Sequence, residues 1–376
     1  MRRLLSLLWA GAFAFFLSFF LLISAVPLYA RGLGASDAAI GVIMGCFAVT
    51  AMLLRPWTGW AADRYGRRPF MVAGAVVFFV SSLAYYAAGG AVALVLVRLL
   101  HGAGMGLYPT AASAMVADLA PPHRRAEFLG LFGVAGSLAL ALGPVTGIVL
   151  AEGLGFGALF VVSGVVGLVA LGLTITARET LGTMGRQPFS LAGTVSQAAL
   201  FPSLVLLFLM LPYGTQITFV PLHAHAQGVN PGVFFLVHAV TLALVRAPAG
   251  RLSDRVGRAP VAAGGLALGA AALVVLGFGE GLLGLALAGG LYGVAFGVAQ
   301  PTLMAWCVDG AAPGDRGRAM GTFFTALEFG IAVGAMSSGL AVARWGVPLT
   351  FLANAAVALA GAAVALRAHR GWAYAR

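Results

Sequence analysis

Gly59-Trp60-Ala61-Ala62-Asp63-Arg64-Tyr65-Gly66-Arg67-Arg68-Pro69 places four charges within six residues of a chain that is otherwise almost wholly apolar. Charges are expensive in hydrocarbon, so this cluster marks a membrane edge. It recurs as Gly250-Arg251-Leu252-Ser253-Asp254-Arg255-Val256-Gly257-Arg258-Ala259-Pro260, with Gly, Asp-Arg, Gly-Arg and Pro held at a constant offset of 191 residues. A duplicated chain is the first expectation. The offset also relates Arg55 to Arg246, Gly102 to Gly293, Gly106 to Gly297, Asp118 to Asp309, Pro122 to Pro313, Arg125 to Arg316 and Gly130 to Gly321.

Composition points to the bilayer. With 61% hydrophobic residues, 9% charged and 53 glycines, the chain departs from the usage of soluble domains. Its length allows about twelve spans with short loops. The net charge of +11 does not signal nucleic acid, because the basic residues lie singly or in small groups between apolar runs. All 22 basic residues are arginine, and without lysine the chain carries no Walker phosphate loop of its own. Cys46 and Cys307 both fall in apolar runs, where neither a disulfide framework nor a zinc site is expected. The apolar run after Met1-Arg2-Arg3 extends to about Ala30, longer than the core of a signal peptide, and is read as the first helix.

Twelve helices are expected, centred near Phe16, Ala51, Phe79, Gly104, Leu138, Val165, Met210, Val240, Ala270, Val294, Gly330 and Val357. The longest polar gap, Arg178 to Thr194, divides them into two sets of six. The expected organisation is an N-terminal six-helix bundle over 1–177, a cytoplasmic linker over 178–194 and a C-terminal bundle over 195–376. With the N-terminus inside, seventeen arginines are cytoplasmic, two (Arg31 and Arg344) are outside, and Arg55, Arg98 and Arg246 fall within helices. That excess sets both termini in the cytoplasm. A parallel repeat of six helices places a binding site near the midplane, where the halves meet.

The pattern Gly-x-x-x-Asp-Arg-x-Gly-Arg-Arg resembles the signature between the second and third helices of the major facilitator superfamily of secondary transporters. The resemblance covers essentially the whole chain. It implies an all-α polytopic membrane protein, with twelve transmembrane helices in two pseudo-symmetric six-helix bundles. It also implies a cytoplasmic gate, built here from Gly59, Asp63, Arg64, Gly66, Arg67 and Asp118, and again from Asp254, Arg255, Arg258 and Asp309. Asp118 is the expected acceptor for Arg64 or Arg67, and Asp309 for Arg255 or Arg258. Gly59 and Gly66 are expected to permit close helix approach and a tight turn. Glu179 is expected to pair with Arg124 or Arg125.

Residues shared by the halves are scaffold; unshared polar ones mark the site. Arg98-Leu99-Leu100-His101-Gly102-Ala103-Gly104-Met105-Gly106 resembles the fourth helix of proton-coupled members, and the second half has Gly289 and Tyr292 in place of Arg98 and His101. An arginine inside a span costs about 2.5–3.5 kcal/mol on insertion scales, so it faces a cavity or a partner. Glu328 lies well inside a helix and its counterpart is Ser137. Burial disfavours the ionised form of a carboxylic acid, which lets an intramembrane acid load and unload a proton. Glu328, Arg98 and His101 are therefore the expected proton-coupling residues.

Gly143-Pro144-Val145-Thr146-Gly147 partly resembles the antiporter motif of the family's fifth helix, which favours export. The same small residues also serve close packing. Pro212-Tyr213-Gly214-Thr215-Gln216 is expected to bend helix 7, either as a plain kink or to line the substrate cavity through Tyr213 and Gln216, with Arg55 and Arg246 as further candidates. His223 and His225, at i and i+2, share no helix face and are not a metal site. No cofactor is expected, and no nucleophile, base or metal cluster points to an enzyme. The partners expected are a small molecule, protons and lipid, with the chain a monomer. The reading is a proton-coupled exporter of a drug-like compound or metabolite, with a sugar or nutrient symporter as the alternative.

Overall fold

The computed structural model describes residues 2–121, 125–180, 195–311 and 316–373, without the side chains of 2–3, 125–127, 316–317 and 368–373. Among the described residues every regular element is helical. The helices are α1 (Arg2–Ile23), α2 (Ala25–Gly32), α3 (Asp37–Tyr65), α4 (Arg67–Ala84), α5 (Ala91–Leu119), α6 (Arg125–Ile175), α7 (Gln197–Ala226), α8 (Gly232–Val256), α9 (Arg258–Phe278), α10 (Gly281–Asp309) and α11 (Arg316–Ala373). Ten described helical stretches are long and apolar enough to cross a membrane. Two of them, of 48 and 50 residues, have length for two crossings each at about 20 residues per span.

Those two long helices bend where the chain must reverse. Gly155 takes φ +85° in α6 and Gly346 takes φ +77° in α11, a region that L side chains disfavour and glycine enters freely. The twelve helix centres expected from the sequence all fall within these elements.

Two compact units result, one of Met1–Ala35 with Cys46–Ser190 and one of Ser36–Gly45 with Leu191–Arg376. The first turns of α3 thus group with the second unit, which the run of hydrophobicity gives no reason to expect. Of the expected linker, residues 181–194 lie outside the described residues. In the first unit α6 packs on α1 and α4, and α5 on α4; in the second, α11 packs on α7 and α9, and α10 on α8 and α9.

The repeat holds at the level of atoms. A Cβ at Gly102 would lie 2.2 Å from the Phe47 carbonyl oxygen, and one at Gly293 would lie 2.4 Å from the His238 carbonyl oxygen. Residues 47 and 238 stand at the same 191 offset as residues 102 and 293. Backbones that touch at matched positions require a residue without a side chain there. Each half therefore keeps the same packing seam between its second and fourth spans.

Candidate functional site

At the first loop Gly66 has φ +104° and ψ 156°, and Gly257 has φ +105° and ψ 157°. This shared turn ends one helix and starts the next within a single residue, and it sets the following arginine on the first turn of α4 or α9. Arg67 there bonds Asp63, and its Nε donates to Asp118 Oδ2 at 3.2 Å. Thr180 Oγ1 donates to the same Asp118 oxygen at 3.0 Å. In the second unit Arg258 bonds Asp254 at 2.6 Å, Asp309 at 2.8 Å and Ser253 Oγ at 2.9 Å. Each arginine forks between two carboxylates, the arrangement a planar guanidinium serves best. Both clusters join elements of their own unit.

The structure selects among the alternatives expected here and corrects the reading of Gly59. Of Arg64 and Arg67, only Arg67 reaches Asp118; Arg64 instead lies over the Trp60 and Tyr65 rings at 5.8 and 5.7 Å. Arg258, not the exposed Arg255, holds Asp309. Nothing among the described residues lies within 4 Å of a Cβ placed on Gly59, so it is not a site of close approach. A Cβ on Gly66 would sit 2.6 Å from Glu179 Oε2. Arg124 and the Arg125 side chain lie outside the described residues. Glu179 accepts from the backbone N–H groups of Arg67 and Arg68 at 3.1 and 2.9 Å. It therefore caps the positive end of α4, where unsatisfied N–H groups and the helix dipole favour a carboxylate.

The first unit buries a second polar group. Arg98 and His101 on α5 are 1% and 0% exposed. The guanidinium lies 4.4 Å from the centre of the Phe47 ring, a cation–π contact strengthened by the absence of water. His101 meets Phe78, Phe47 and Phe19 edge to face at 4.2, 5.5 and 6.0 Å. Its Nδ1 pairs with the Tyr85 hydroxyl at 3.2 Å. Sequence reasoning missed Tyr85, although its counterpart Leu276 marks it as another unshared polar residue.

The second unit brings together Tyr213 and Gln216 of α7, His238 of α8, Tyr292 and Phe296 of α10, and Glu328 of α11. Glu328 is buried, at 5% exposure, and close enough to Tyr213 to act on it electrostatically. His238 also escaped the sequence reading; its counterpart is Phe47. Helix α7 continues through Pro202, Pro212 and Pro221. Thr215 and Thr218 hydroxyls donate back to the Leu211 and Gly214 carbonyls at 3.3 and 2.8 Å, and a Cβ at Gly214 would lie 2.3 Å from the Ile331 carbonyl oxygen. Glycine there serves packing against α11. Arg246 is exposed and Arg55 half-buried, and neither joins a described cluster of ring contacts. His223 bonds Gln227 at 2.9 Å and meets Phe351.

Gly143 and Gly147 pack α6 on α1, since Cβ atoms there would lie 2.5 Å from Phe20 Cβ and 2.0 Å from the Leu21 carbonyl oxygen. Gly334, the counterpart of Gly143, does the same against the Leu211 carbonyl oxygen at 2.1 Å. The feature is shared by both halves, as packing requires. A cavity of about 420 Å³ opens among α1, α5 and α6, lined by Leu5, Trp9, Val116, Leu131 and Phe132. None of the expected site residues lines it.

The Major Facilitator Superfamily model matches residues 8–237 and 195–371. The chain belongs to that superfamily. It is an all-α, multi-pass membrane protein built on the major facilitator fold. Among curated relatives it is 27% identical over 152 residues to the quinolone resistance protein NorA of Staphylococcus aureus, covering 40% of this chain and 39% of NorA. It is 29% identical over 163 residues to the uncharacterized MFS-type transporter MJ1560 of Methanocaldococcus jannaschii, covering 43% and 42%. The matched region thus spans about two fifths of the length of these relatives. Solved structures extend the likeness in fold to nearly the whole chain. The human organic anion transporter MFSD10 covers 97% of this chain and 99% of its own at TM-score 0.72 and 22% identity. The nucleoside transporter NupG covers 97% and 99% at TM-score 0.81 and 14% identity.

Proposed function

We propose that this transporter exports a small organic molecule in exchange for protons by alternating access. It sits in the cell (inner) membrane as a monomer, with both termini cytoplasmic. The observation that carries the reading is Glu328: a carboxylate 5% exposed inside α11, where the first repeat has Ser137. A buried acid with no structural twin is a functional residue by default. Its neighbour Tyr213 and the buried amide of Gln216 put hydrogen-bonding groups in the same unit. Arg98 and His101 supply the first unit's buried polar group.

Protonation from the outer side and release of substrate are linked when one carboxylate serves both. One proton entering down 100 mV supplies about 2.3 kcal/mol before any pH difference. That is a gradient of some tens-fold for a neutral cargo, since about 1.4 kcal/mol is ten-fold. The paired arginine clusters hold the loops of each bundle together while the bundles move. The distant likeness to a protein named for quinolone resistance supports the export direction.

The test is transport in everted membrane vesicles, screened across organic cations, acids and neutral aromatics with and without an imposed pH gradient. Substrate uptake into the lumen that rises with interior acidity is expected. Transport indifferent to the gradient would instead make the protein a facilitator.

A further inference from the structure

Where α7 ends and α10 begins, the second unit carries a chain of hydrogen bonds whose direction the backbone dictates. The N–H of Gly281, the first residue of α10, donates to Gln227 Oε1 at 2.8 Å. A backbone N–H can only donate, so the amide oxygen is fixed on that side and the amide nitrogen, a donor, points the other way. It meets Nε2 of His223 at 2.9 Å, which must therefore accept. The other ring nitrogen faces the Leu276 carbonyl of α9 and holds the proton, since a carbonyl only accepts. Phe351 of α11 meets the ring edge to face at 5.6 Å. The chain thus selects a neutral imidazole in one tautomer. The fold does not require it: at the places of His223 and Gln227 the first repeat has Gly32 and Ser36.

A proton added to this ring breaks the chain. Imidazolium donates from both nitrogens, so its new N–H would meet the Gln227 NH2, donor against donor. Turning the amide over puts its oxygen on the ring but brings the NH2 to the Gly281 N–H, because the two atoms lie on opposite sides of one plane. The ring then keeps both its bonds and the first turn of α10 loses its hold on α7. Other charges at this end of the packed elements are few. Among the described residues, α7 contributes His225, the α9–α10 connection Glu280 and α11 Arg344, all exposed. The charged residues of α9 and α10, Arg258 and Asp309, lie at the opposite ends of those helices, and Tyr292 lies mid-helix. None of these is among the influences on His223, which are its burial and the Leu276 carbonyl.

We propose that His223 and Gln227 form a pH-sensitive latch, which ties α7 to the start of α10 while the imidazole is neutral and releases it on protonation. Histidine is the side chain whose charge changes between about pH 5 and pH 8, and a bond that exists in only one of its charge states biases a two-state element. The helices so tied carry Tyr213 and Tyr292, which lie parallel with ring centroids 6.5 Å apart. Release therefore frees the ends of the two helices that hold this aromatic pair. The latch goes beyond proton-coupled export and takes only its sidedness from that reading: with both termini cytoplasmic, this end of α7 faces outside, and external acid opens the latch.

The experiment is hydrogen–deuterium exchange of the purified full-length chain in detergent, at about pH 8 and about pH 5, read by mass spectrometry and corrected for the intrinsic rate at each pH. The signal is exchange over residues 279–284 relative to residues 262–273 in the interior of α9, so each preparation carries its own reference for folding. In wild type the relative exchange is expected to rise about ten-fold on acidification, the worth of one backbone hydrogen bond. His223→Gln, which does not titrate, should remove that rise, and Gln227→Leu should give fast exchange at both pH values. A wild-type ratio that does not change with pH, or a rise that persists in His223→Gln, overturns the proposal. Either result leaves proton-coupled export standing, and failure of proton coupling in vesicles leaves the exchange ratio as it is.

Discussion

The hydroxyl of Tyr85 lies 3.2 Å from Nδ1 of His101, and both side chains are fully buried. Arg98 is within reach of the same hydroxyl, so one tyrosine orients both unshared polar residues of α5. Tyr85→Phe leaves the imidazole nitrogen without that partner, at a cost of about 1–3 kcal/mol. A lower melting temperature in detergent is expected, together with slower proton-driven transport. Unchanged transport would show that the contact serves packing alone.

The two arginine clusters differ in burial. The Arg67 side chain is 9% exposed and that of Arg258 23%, while Asp118 and Asp309 are 31% and 53% exposed. Loss of a partner costs more where the charge left behind is less hydrated. Arg67→Ala is expected to destabilise the protein by about 1–3 kcal/mol and Arg258→Ala by about 1 kcal/mol or less. Thermal unfolding of the two variants side by side decides the order.

Glycines in the same loop divide sharply. Gly66→Ala forces a side chain into a backbone conformation at φ +104° and against Glu179, at a cost of about 1–3 kcal/mol. Gly59→Ala meets nothing within 4 Å inside α3 and is expected to be neutral or to stabilise by up to about 1 kcal/mol. Gly257→Ala shares the strain of Gly66→Ala but meets only Pro260 Cδ, at 3.8 Å, so it should be the milder of the two loop variants. Melting temperatures of the three test this ranking.

The close seam at Gly102 makes a further distinction. Gly102→Ala drives a methyl group against the Phe47 carbonyl, and overpacking of this kind costs about 1–3 kcal/mol. The same backbone step would displace the ring on which Arg98 rests. Both expression and proton-driven transport should fall, whereas Gly130→Ala, with open space around it, should behave as wild type.

The fold was readable because the repeat is written in residue types with few substitutes. Asp63, Gly66 and Arg67 recur as Asp254, Gly257 and Arg258, and the turn they make is the same to within 1° in both φ and ψ. Glu328 and Arg98 stood out because a charge within an apolar run is costly and neither has a counterpart in the other half. The sequence did not reveal neighbours that depend on three-dimensional approach. Tyr85 and His238 look like any aromatic or polar residue in a span until the helices bring them to His101 and Tyr292. The place of Glu179 at the start of α4 was not legible, because a one-dimensional reading shows no helix N-terminus; its expected partners, Arg124 and the Arg125 side chain, lie outside the described residues. Pro212 and Gly214 suggested a bend lining a cavity, while nothing in the sequence signals that Gly214 is where α7 meets the backbone of α11 at Ile331.

The central claim is that Glu328 couples protons to cargo, and Glu328→Gln tests it most directly. The substitution keeps the shape and removes the charge. In everted vesicles the variant should lose accumulation driven by an acidic lumen while retaining exchange of labelled for unlabelled substrate. Gradient-driven accumulation at the wild-type level in Glu328→Gln would contradict the account.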